Sequence, residues 1–383
     1  MIPASLPRAR APIVMSDKAL VAMSGGVDSS VAAYLLRQQG YDCVGVTMKL
    51  FHNEDAGVSR AKSCCSLDDV EDARSVAHRL GIPYYVFNFT ADFKEQVMQR
   101  FVSAYERGLT PNPCIDCNRY LKFDRLYHRA EVLGCRYVAT GHYARIEQRD
   151  GRWLLKKAAD PGKDQSYVLY SLTQQQLAHT LFPLGGLNKE QTRQIAAGQG
   201  FYNADKPDSQ DICFVPDGDY AAFIRRFTGR DYPEGDFTDA QGRVLGRHRG
   251  IIGYTVGQRK GLGLAAGAPL YVQAICPEEN RVVLGSDADL YSRGLEAEGF
   301  NWIAFDCPPA QLRARAKVRY RQPEQWATVY PQADGCVRIA FDQPQRAITC
   351  GQAVVLYDGD SVLGGGVICR TGDDWISDRG EQV

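Results

Sequence analysis

The sequence predicts an α/β domain built on a parallel sheet, followed by two small all-β modules, the last of them a β-barrel. Up to about residue 145, apolar strand-like runs alternate with longer helical patterns, which is the rhythm of βαβ units. From about residue 230, short β patterns separated by Gly, Pro, Asn and Asp turns replace it. We therefore expect an α/β domain over 17–224, a central β domain over 225–294 and a C-terminal barrel over 295–383.

The elements follow from local patterns. The strand-like runs of the α/β part are "ALVAM", "DCVGVTM", "YYVFNF" and "YVATGHY". The helical runs between and after them are "SSVAAYLLRQQG", "LDDVEDARSVAHRL", "DFKEQVMQRFVSAYERG", "TQQQLAHTLF" and "NKEQTRQIAAGQG". The final glycine of the last run is a plausible C-cap. The β patterns of the second half include "LYVQAICPEENRVVLG" and "CVRIAFDQPQRAITCGQAVVLYDGDSVLGGGVI".

Composition limits the class of protein. The 383 residues are 44% hydrophobic and 23% charged, an ordinary globular mixture with room for two or three cores. Lys plus Arg and Asp plus Glu both number 45, so any basic surface must be local. No apolar run is long enough to span a membrane, and residues 1–16 lack the apolar core of a signal peptide. We expect an N-terminal extension over 1–16 and a cytoplasmic protein, although two arginines and no acids there leave organellar targeting open.

Cysteine usage favours a reducing compartment. The 12 cysteines lack the even, close spacing of a disulfide scaffold, and a chain of this size needs no such bridges. Most are expected to be small buried hydrophobes.

The stretch "LVAMSGGVDSSVAAYLL" places two glycines, several hydroxyls and a carboxylate between a strand and a helix. The N-terminus of a helix beyond a parallel strand presents free N–H groups and a positive dipole end, which suit a phosphate. Gly25 and Gly26 let the backbone approach an anion, Ser24, Ser29 and Ser30 add hydroxyl donors, and Asp28 can cap the helix or hold Mg²⁺. A capped helix start without a ligand is the alternative. No Gly-Lys-Ser/Thr follows at the spacing of a nucleoside-triphosphatase loop.

A second feature is the pair Cys114 and Cys117 in "GLTPNPCIDCNRYLKF", a Pro-rich turn before a helical pattern, with Cys213 following a polar run further on. A thiol near a helix N-terminus has its thiolate stabilised by the dipole, as a nucleophile or metal ligand requires. Half of a zinc site and an incidental packed pair remain alternatives, but neither a second Cys-x-x-Cys pair nor a His-x₃₋₅-His partner appears. The neighbours Cys64 and Cys65 make a poor zinc half-site.

A basic stretch, "LRARAKVRYRQ", alternates cations with apolar residues. On a strand, this period places Arg313, Arg315, Lys317, Arg319 and Arg321 on one face and the apolar set in the core. Five like charges without an acid favour contact with phosphates over an ordinary solvated face.

Taken in order, the glycine loop, "TPNPCIDCN", "ATGHYAR", "KDQSYVLY", "DSQDICF", "GYTVGQRKGLG" and "VRYRQ" resemble the bacterial and mitochondrial tRNA-specific 2-thiouridylases over nearly the whole chain after residue 17. These enzymes belong to the N-type ATP pyrophosphatases, which have an adenine nucleotide alpha hydrolase-like domain. The resemblance implies that ATP, with Mg²⁺, adenylates O2 of the wobble uridine in tRNAs for glutamate, lysine and glutamine. Sulfur then replaces that oxygen and gives 2-thiouridine.

The resemblance also assigns site residues, each at a matching position. The implied ATP-binding residues are Ala22, Met23, Ser24, Gly25, Gly26, Val27, Asp28, Ser29, Met48 and Gly141. Cys117 matches the catalytic nucleophile and Cys213 the cysteine that carries a persulfide, with Asp28 as the third catalytic residue. The implied tRNA contacts are Asn112, Pro113, Cys114, His142, Lys163, Asp164, Gln165, Arg319, Tyr320 and Gln352. The implied partners are tRNA and a persulfide donor, either a cysteine desulfurase or a sulfur-relay protein.

Cys114 departs from the pattern of the family, in which many members have Asp. Thiolates at Cys114, Cys117 and Cys213 could hold three irons of a 4Fe–4S cluster with an open fourth iron, whereas a persulfide relay needs only the last two. Both routes stay open, as does a spare thiol at Cys114. Two further alternatives are another ATP pyrophosphatase, such as an ammonia-using synthetase or argininosuccinate synthase, and a non-catalytic tRNA- or metal-binding protein.

Overall fold

The computed structural model describes residues 17–52, 67–207, 212–264 and 267–377. The N-terminal extension predicted for 1–16, and Cys64 and Cys65, lie outside these residues. The chain forms two compact units. Of the described residues, the first unit comprises those up to Val97, those within Cys114–Gly218 and Gly359–Val362. The second comprises Met98–Pro113, the described residues within Asp219–Asp358 and those from Leu363 onwards.

The first unit is built on a parallel sheet. Its strands are β1 (Lys18–Ala22), β2 (Asp42–Lys49), β3 (Tyr84–Asn88), β4 (Tyr137–Ala139), β5 (Arg145–Arg149), β6 (Arg152–Lys156) and β7 (Thr180–Leu181). Five of them form the sheet in the order β3-β2-β1-β4-β7, and every pairing in it is parallel. β5 and β6 form an antiparallel hairpin outside it. The predicted parallel sheet is therefore confirmed, with β1 at its centre.

Helices connect and follow the strands along the chain. Among the described residues up to 198, the helices are α1 (Val27–Gln38), α2 (Leu67–Arg79), α3 (Thr90–Phe93), α4 (Arg100–Glu106), α5 (Pro113–Asp116), α6 (Leu126–Val132), α7 (Gln174–Ala178) and α8 (Lys189–Gly198). Two π-helical segments, Lys94–Gln99 and Cys117–Arg125, join α3 to α4 and α5 to α6. Capping boxes start α7 and α8, because Thr173 and Asn188 each exchange hydrogen bonds with the glutamine three residues later.

The second unit contains the β modules. Its remaining elements are α9 (Tyr220–Thr228), β8 (Gly235–Thr238), β9 (Val244–His248), β10 (Tyr271–Cys276), β11 (Arg281–Gly285), β12 (Tyr291–Trp302), β13 (Leu312–Lys317), β14 (Gln325–Pro331), β15 (Val337–Arg346), β16 (Ala353–Asp358), β17 (Ser361–Thr371) and α10 (Asp374–Ser377). One sheet has the order β10-β11-β8-β9.

The last six strands close into a barrel. They follow the order β12-β15-β14-β13-β16-β17, and an additional pairing of β12 with β17 closes the ring. Leu295, Val329, Ile339 and Leu356 are fully buried in its core, as the alternating apolar positions require. The two predicted β modules, the second a barrel, are confirmed, whereas the boundaries at 224/225 and 294/295 stay predictions. No helix within the described ranges has the length and apolar character needed to cross a membrane.

Candidate functional site

The sheet order places a crevice at the carboxyl end of β1. The chain leaves β1 through α1 to reach β2 on one side, while β4 pairs with β1 on the other. Loops diverge at such a switch point, which is where α/β sheets bind their ligands. The residues implied to bind ATP all lie here: 22–29 run from the end of β1 into α1, Met48 is near the end of β2, and Gly141 follows β4.

Close backbone packing explains two of the glycines. Gly25 has a φ of +76°, and a Cβ atom there would lie 2.7 Å from the Cα of Asp69 in α2. At Gly141 a Cβ atom would lie 2.8 Å from the backbone nitrogen of Ser29. Both distances are far below van der Waals contact, so a side chain at either position would displace the backbone. The glycines therefore bring three segments together around the N-terminus of α1.

The loop is braced from within. The hydroxyls of Ser29 and Ser30 both donate to the carbonyl oxygen of Gly26 at 3.0 Å, and the backbone N–H of Ser24 donates to Ser29 Oγ at 3.1 Å. Ser29 and Ser30 are buried and Ser24 is exposed. Of the hydroxyls predicted to contact an anion, Ser24 is thus the accessible one, while the other two hold the shape of the loop.

Asp28 does not cap α1. Gly26 occupies the N-cap position without a side-chain cap, so the capping alternative for Asp28 is wrong. Its carboxylate instead binds Lys189 Nζ at 2.7 and 2.9 Å and accepts a hydrogen bond of 2.8 Å from the hydroxyl of the buried Tyr143. A Mg²⁺ ion bound by Asp28 would have to replace Lys189.

A second lysine anchors the other side of the loop. Lys206 Nζ lies 2.6 Å from Asp69 Oδ1, 2.8 Å from Asp72 Oδ2 and 3.3 Å from the carbonyl oxygen of Gly25. Partial burial by itself would lower the pKa of this ammonium, but the hydrogen bonds to the two carboxylates raise it overall. Asn203 donates to the same carbonyl at 2.9 Å. Sequence reasoning missed Lys189, Lys206 and Asn203 because residues distant along the chain carry no local signal of this packing.

The reactive-cysteine candidates differ in exposure. Cys117 is buried where a π-helical segment begins, Cys213 is half-buried and Cys114 is exposed. Burial raises the pKa of the Cys117 thiol, and the positive charge of Lys122 opposes this only in part. The expectation that the helix N-terminus favours a Cys117 thiolate is therefore wrong for this conformation. Within the described ranges, the structure brings together no group of three or more Cys, His, Asp or Glu that could hold a metal ion.

His142 is a buried neutral imidazole. It is 8% exposed, and its Nδ1 lies 2.7 Å from Thr140 Oγ1. Burial, reinforced by the charge of Lys122, holds the pKa of His142 well below its usual range. This residue follows β4 by three positions, next to Gly141 in the chain.

The remaining implied tRNA contacts of the first unit form a turn. The carboxylate of Asp164 accepts hydrogen bonds from the backbone of Ala158 at 3.0 Å and from Ser166 Oγ at 2.8 Å. Gln165 Oε1 accepts from the backbone N–H of Tyr143 at 2.9 Å. Lys163 precedes them and is half-buried. Asp164 and Gln165 therefore shape the turn, whatever else they contact.

In the second unit, the segment before Asn112 and Pro113 is bound to the barrel. The backbone N–H of Thr110 donates to the carbonyl of Cys350 at 2.9 Å, and Gln352 Nε2 donates to the carbonyl of Thr110 at 2.9 Å. A Cβ atom at Gly351 would lie 2.9 Å from the Thr110 nitrogen. Gln352 thus holds the backbone that leads into the predicted target-base turn.

The basic stretch is only partly a strand. β13 ends at Lys317, so the expected placement of Arg319 and Arg321 on its cationic face is wrong. Arg319 turns inward, and its Nη2 donates to the carbonyls of Val256 and Ala347 at 3.1 and 3.0 Å and to Thr349 Oγ1 at 2.7 Å. Tyr320, expected in the core, is 37% exposed. The chain turns after Val318, which breaks the period-two alternation.

These features define a class of protein. A glycine loop at the switch point of a parallel sheet, next to a helix N-terminus, characterises α/β domains that bind nucleotide phosphates. Residues 17–217 match the family model described as a tRNA methyl transferase HUP domain. Residues 221–286 and 292–368 match its PRC-barrel domain and the aminomethyltransferase β-barrel domain.

The relatives narrow the class to a family. The chain is 51% identical to tRNA-specific 2-thiouridylase MnmA of Clostridioides difficile, covering 92% of this chain and 98% of the relative. It is 53% identical to the protein of the same name in Symbiobacterium thermophilum, covering 93% of each chain. The chain belongs to the tRNA-specific 2-thiouridylase family, which confirms the resemblance. A solved 4-thiouridine synthetase–RNA complex with bound ATP shares 18% identity over 56% of this chain and 54% of that one, at a TM-score of 0.33, a similarity too weak to support any conclusion.

The glycine packing predicts a selective effect of Gly25→Ala. The new Cβ would overlap the backbone of Asp69, so we expect ATP affinity to fall at least about tenfold, measured by calorimetry. Gly40→Ala is the matched control, because Gly40 also has a positive φ, +89°, but nothing lies within 4 Å of its added Cβ. Both variants carry the left-handed strain of about 1–2 kcal/mol. Equal ATP affinities in the two variants would contradict the packing argument.

The burial of Cys117 predicts slow alkylation. Because its pKa is raised, less thiolate is present at pH 7 than in an ordinary thiol, and the rate should keep rising at pH values where exposed cysteines have reached their plateau. Mass spectrometry of peptides after timed iodoacetamide labelling, without ATP or tRNA, measures this. The exposed Cys307 is the internal standard. If Cys117 reacted as fast as Cys307 at pH 7, it would be neither buried nor raised in pKa in solution.

Proposed function

We propose that this chain is a tRNA-uridine 2-sulfurtransferase that consumes ATP and releases AMP and pyrophosphate. The observation that carries the proposal is the glycine loop at the switch point of a unit that also contains Cys117 and Cys213. The names of the relatives support tRNA as substrate, and the loop supports ATP. The wobble position of tRNAs for glutamate, lysine and glutamine is the specific target that the family resemblance implies.

In the first step, O2 of the uridine attacks the α-phosphorus of ATP, and the bond to the β-phosphate oxygen breaks. Pyrophosphate leaves, and loss of the N3 proton neutralises the adenylated base. Free N–H groups at the start of α1 and the exposed hydroxyl of Ser24 are suited to the phosphates. Lys189 Nζ donates hydrogen bonds of 2.7 and 2.9 Å to the carboxylate of Asp28. Its ammonium group is therefore close enough to the loop to help neutralise the phosphates. Mg²⁺, with Asp28 as the proposed ligand, would supply further positive charge.

In the second step, sulfur replaces oxygen. The terminal sulfur of a Cys213 persulfide attacks C2, and AMP departs with the former O2. Cys117, as thiolate, then attacks Cys213 Sγ, which leaves sulfur on the uridine and forms a Cys117–Cys213 disulfide. A dithiol reductant and a new persulfide from a cysteine desulfurase or relay protein complete the cycle. A cytoplasmic location, where thiols stay reduced, suits this chemistry.

The exposure of Cys114 bears on the cluster alternative. Cys114 is exposed and Cys117 is buried, and within the described ranges no three such ligands come together, so we build the proposal on the persulfide route, which needs only Cys117 and Cys213. Iron analysis of protein purified without oxygen, with Cys114→Asp as the comparison, decides between the routes.

Removing either relay thiol should stop sulfur transfer but not ATP binding. In cells lacking the native protein, we expect Cys117→Ser and Cys213→Ser to give no 2-thiouridine. Cys213 carries the persulfide, and Cys117 releases the transferred sulfur from it, so neither thiol can replace the other. Cys307→Ser is the control, because Cys307 is an exposed cysteine with no part in the proposed mechanism. This variant should restore the wild-type level of 2-thiouridine. Mass spectrometry of tRNA nucleosides measures the outcome. Near-normal 2-thiouridine in a Cys117 or Cys213 variant would remove that residue from the mechanism, and its absence even with wild-type protein would refute the function.

A further inference from the structure

The outward face of β13 and β14 carries an exposed tryptophan beside arginines. Trp326 is 47% exposed and pairs across the strands with Arg315. The guanidinium carbons of Arg313 and Arg315 lie 5.5 and 5.1 Å from the centre of its ring. At the end of β13, Lys317 Nζ lies 5.6 Å from the ring of Tyr320, an exposed residue beyond the strand. Two aromatic rings on this face are therefore each accompanied by a cation.

Arg313 fixes the platform rather than binding a ligand. Its side chain extends from β13 across β14, and the guanidinium donates two hydrogen bonds of 2.7 Å to the carboxylate of Asp342 on β15. The same side chain donates to Thr328 Oγ1 at 2.9 Å. This fork neutralises Arg313 and orders it beside the indole, so little side-chain entropy remains to be lost on binding.

Arg315 keeps its charge available. In the described part of the chain it makes no ion pair, and its two cross-strand neighbours are Trp326 and the buried Tyr357. The opposite face of β13 packs into the barrel core, where Ala314 and Ala316 are each 1% exposed. Trp326, 47% exposed on the outward face, is not part of that core. Core packing therefore does not account for a tryptophan at this position.

We propose that Trp326 is a stacking platform for an unpaired base of the RNA substrate, with Arg315 contacting the adjoining phosphate. Aromatic rings beside cations are the combination that binds single-stranded nucleic acid, because every base has a π-face and every linkage a negative charge. A positive, aromatic patch fits an anionic, stacking ligand better than an acidic protein, which would supply the charge but not the planar partner. The proposal rests on the proposed function, since it takes the substrate to be tRNA.

The test separates stacking from charge. Binding of substrate tRNA is measured by anisotropy at several salt concentrations. For Trp326→Ala we expect affinity to fall about 5- to 100-fold with an unchanged salt slope, as the loss of one stacked base implies. Trp326→Phe should retain most of the affinity. Arg315→Gln should lower the log–log salt slope by about one unit, as the loss of one phosphate contact implies.

Tyr291→Ala is the matched control, since Tyr291 is 48% exposed on β12 of the same barrel, and it should bind as wild type. Thermal melting shows whether each variant is folded. Wild-type affinity in a folded Trp326→Ala variant overturns the platform, as does an equal loss in Trp326→Phe and Trp326→Ala. Weakened binding of a protein sulfur donor with unchanged tRNA affinity assigns the face to that protein and also overturns it. Failure of the wild-type chain to bind tRNA at all overturns the proposed function instead.

Discussion

The close approach of three backbone segments at the start of α1 is the constraint on which the site depends. Gly25 lies against the backbone of Asp69 in α2, and Gly141, beyond β4, lies against the first turn of α1. A side chain at either glycine would separate segments whose contact shapes the loop. The parallel sheet makes this contact available, because β2 and β4 flank β1 and deliver their following loops to the same edge.

Two ion-pair systems brace the loop and give it a defined charge. Lys189 binds Asp28 within α1, while Lys206 binds Asp69 and Asp72 of α2 and reaches the carbonyl of Gly25. Both lysines are partly buried, so these pairs are less screened than ordinary surface pairs. Asp28 is thus part of a preformed charge network with Lys189 and Tyr143.

The sequence was informative where the signal is local and silent where it depends on packing. The alternation of strand and helix patterns up to about residue 145 predicted the parallel sheet, and the short β patterns after residue 230 predicted the two β modules. The ordered motifs predicted the family. Period-two alternation predicted the buried Ala314, Ala316 and Val318 but failed after Val318, where the chain turns and Arg319 donates to backbone carbonyls instead. Lys189 could not be assigned to Asp28, because 161 positions separate them. The raised pKa of Cys117 was equally hidden, since the fold decides burial.

The central claim is that the uridine oxygen itself is adenylated at this loop. The direct measurement uses tRNA carrying ¹⁸O at the C2 carbonyl of the target uridine, incubated with the protein, ATP and a persulfide donor, with the released AMP analysed by mass spectrometry. The account predicts one ¹⁸O atom in each AMP for every 2-thiouridine formed. Formation of 2-thiouridine with unlabelled AMP, and the ¹⁸O released into water, would contradict it.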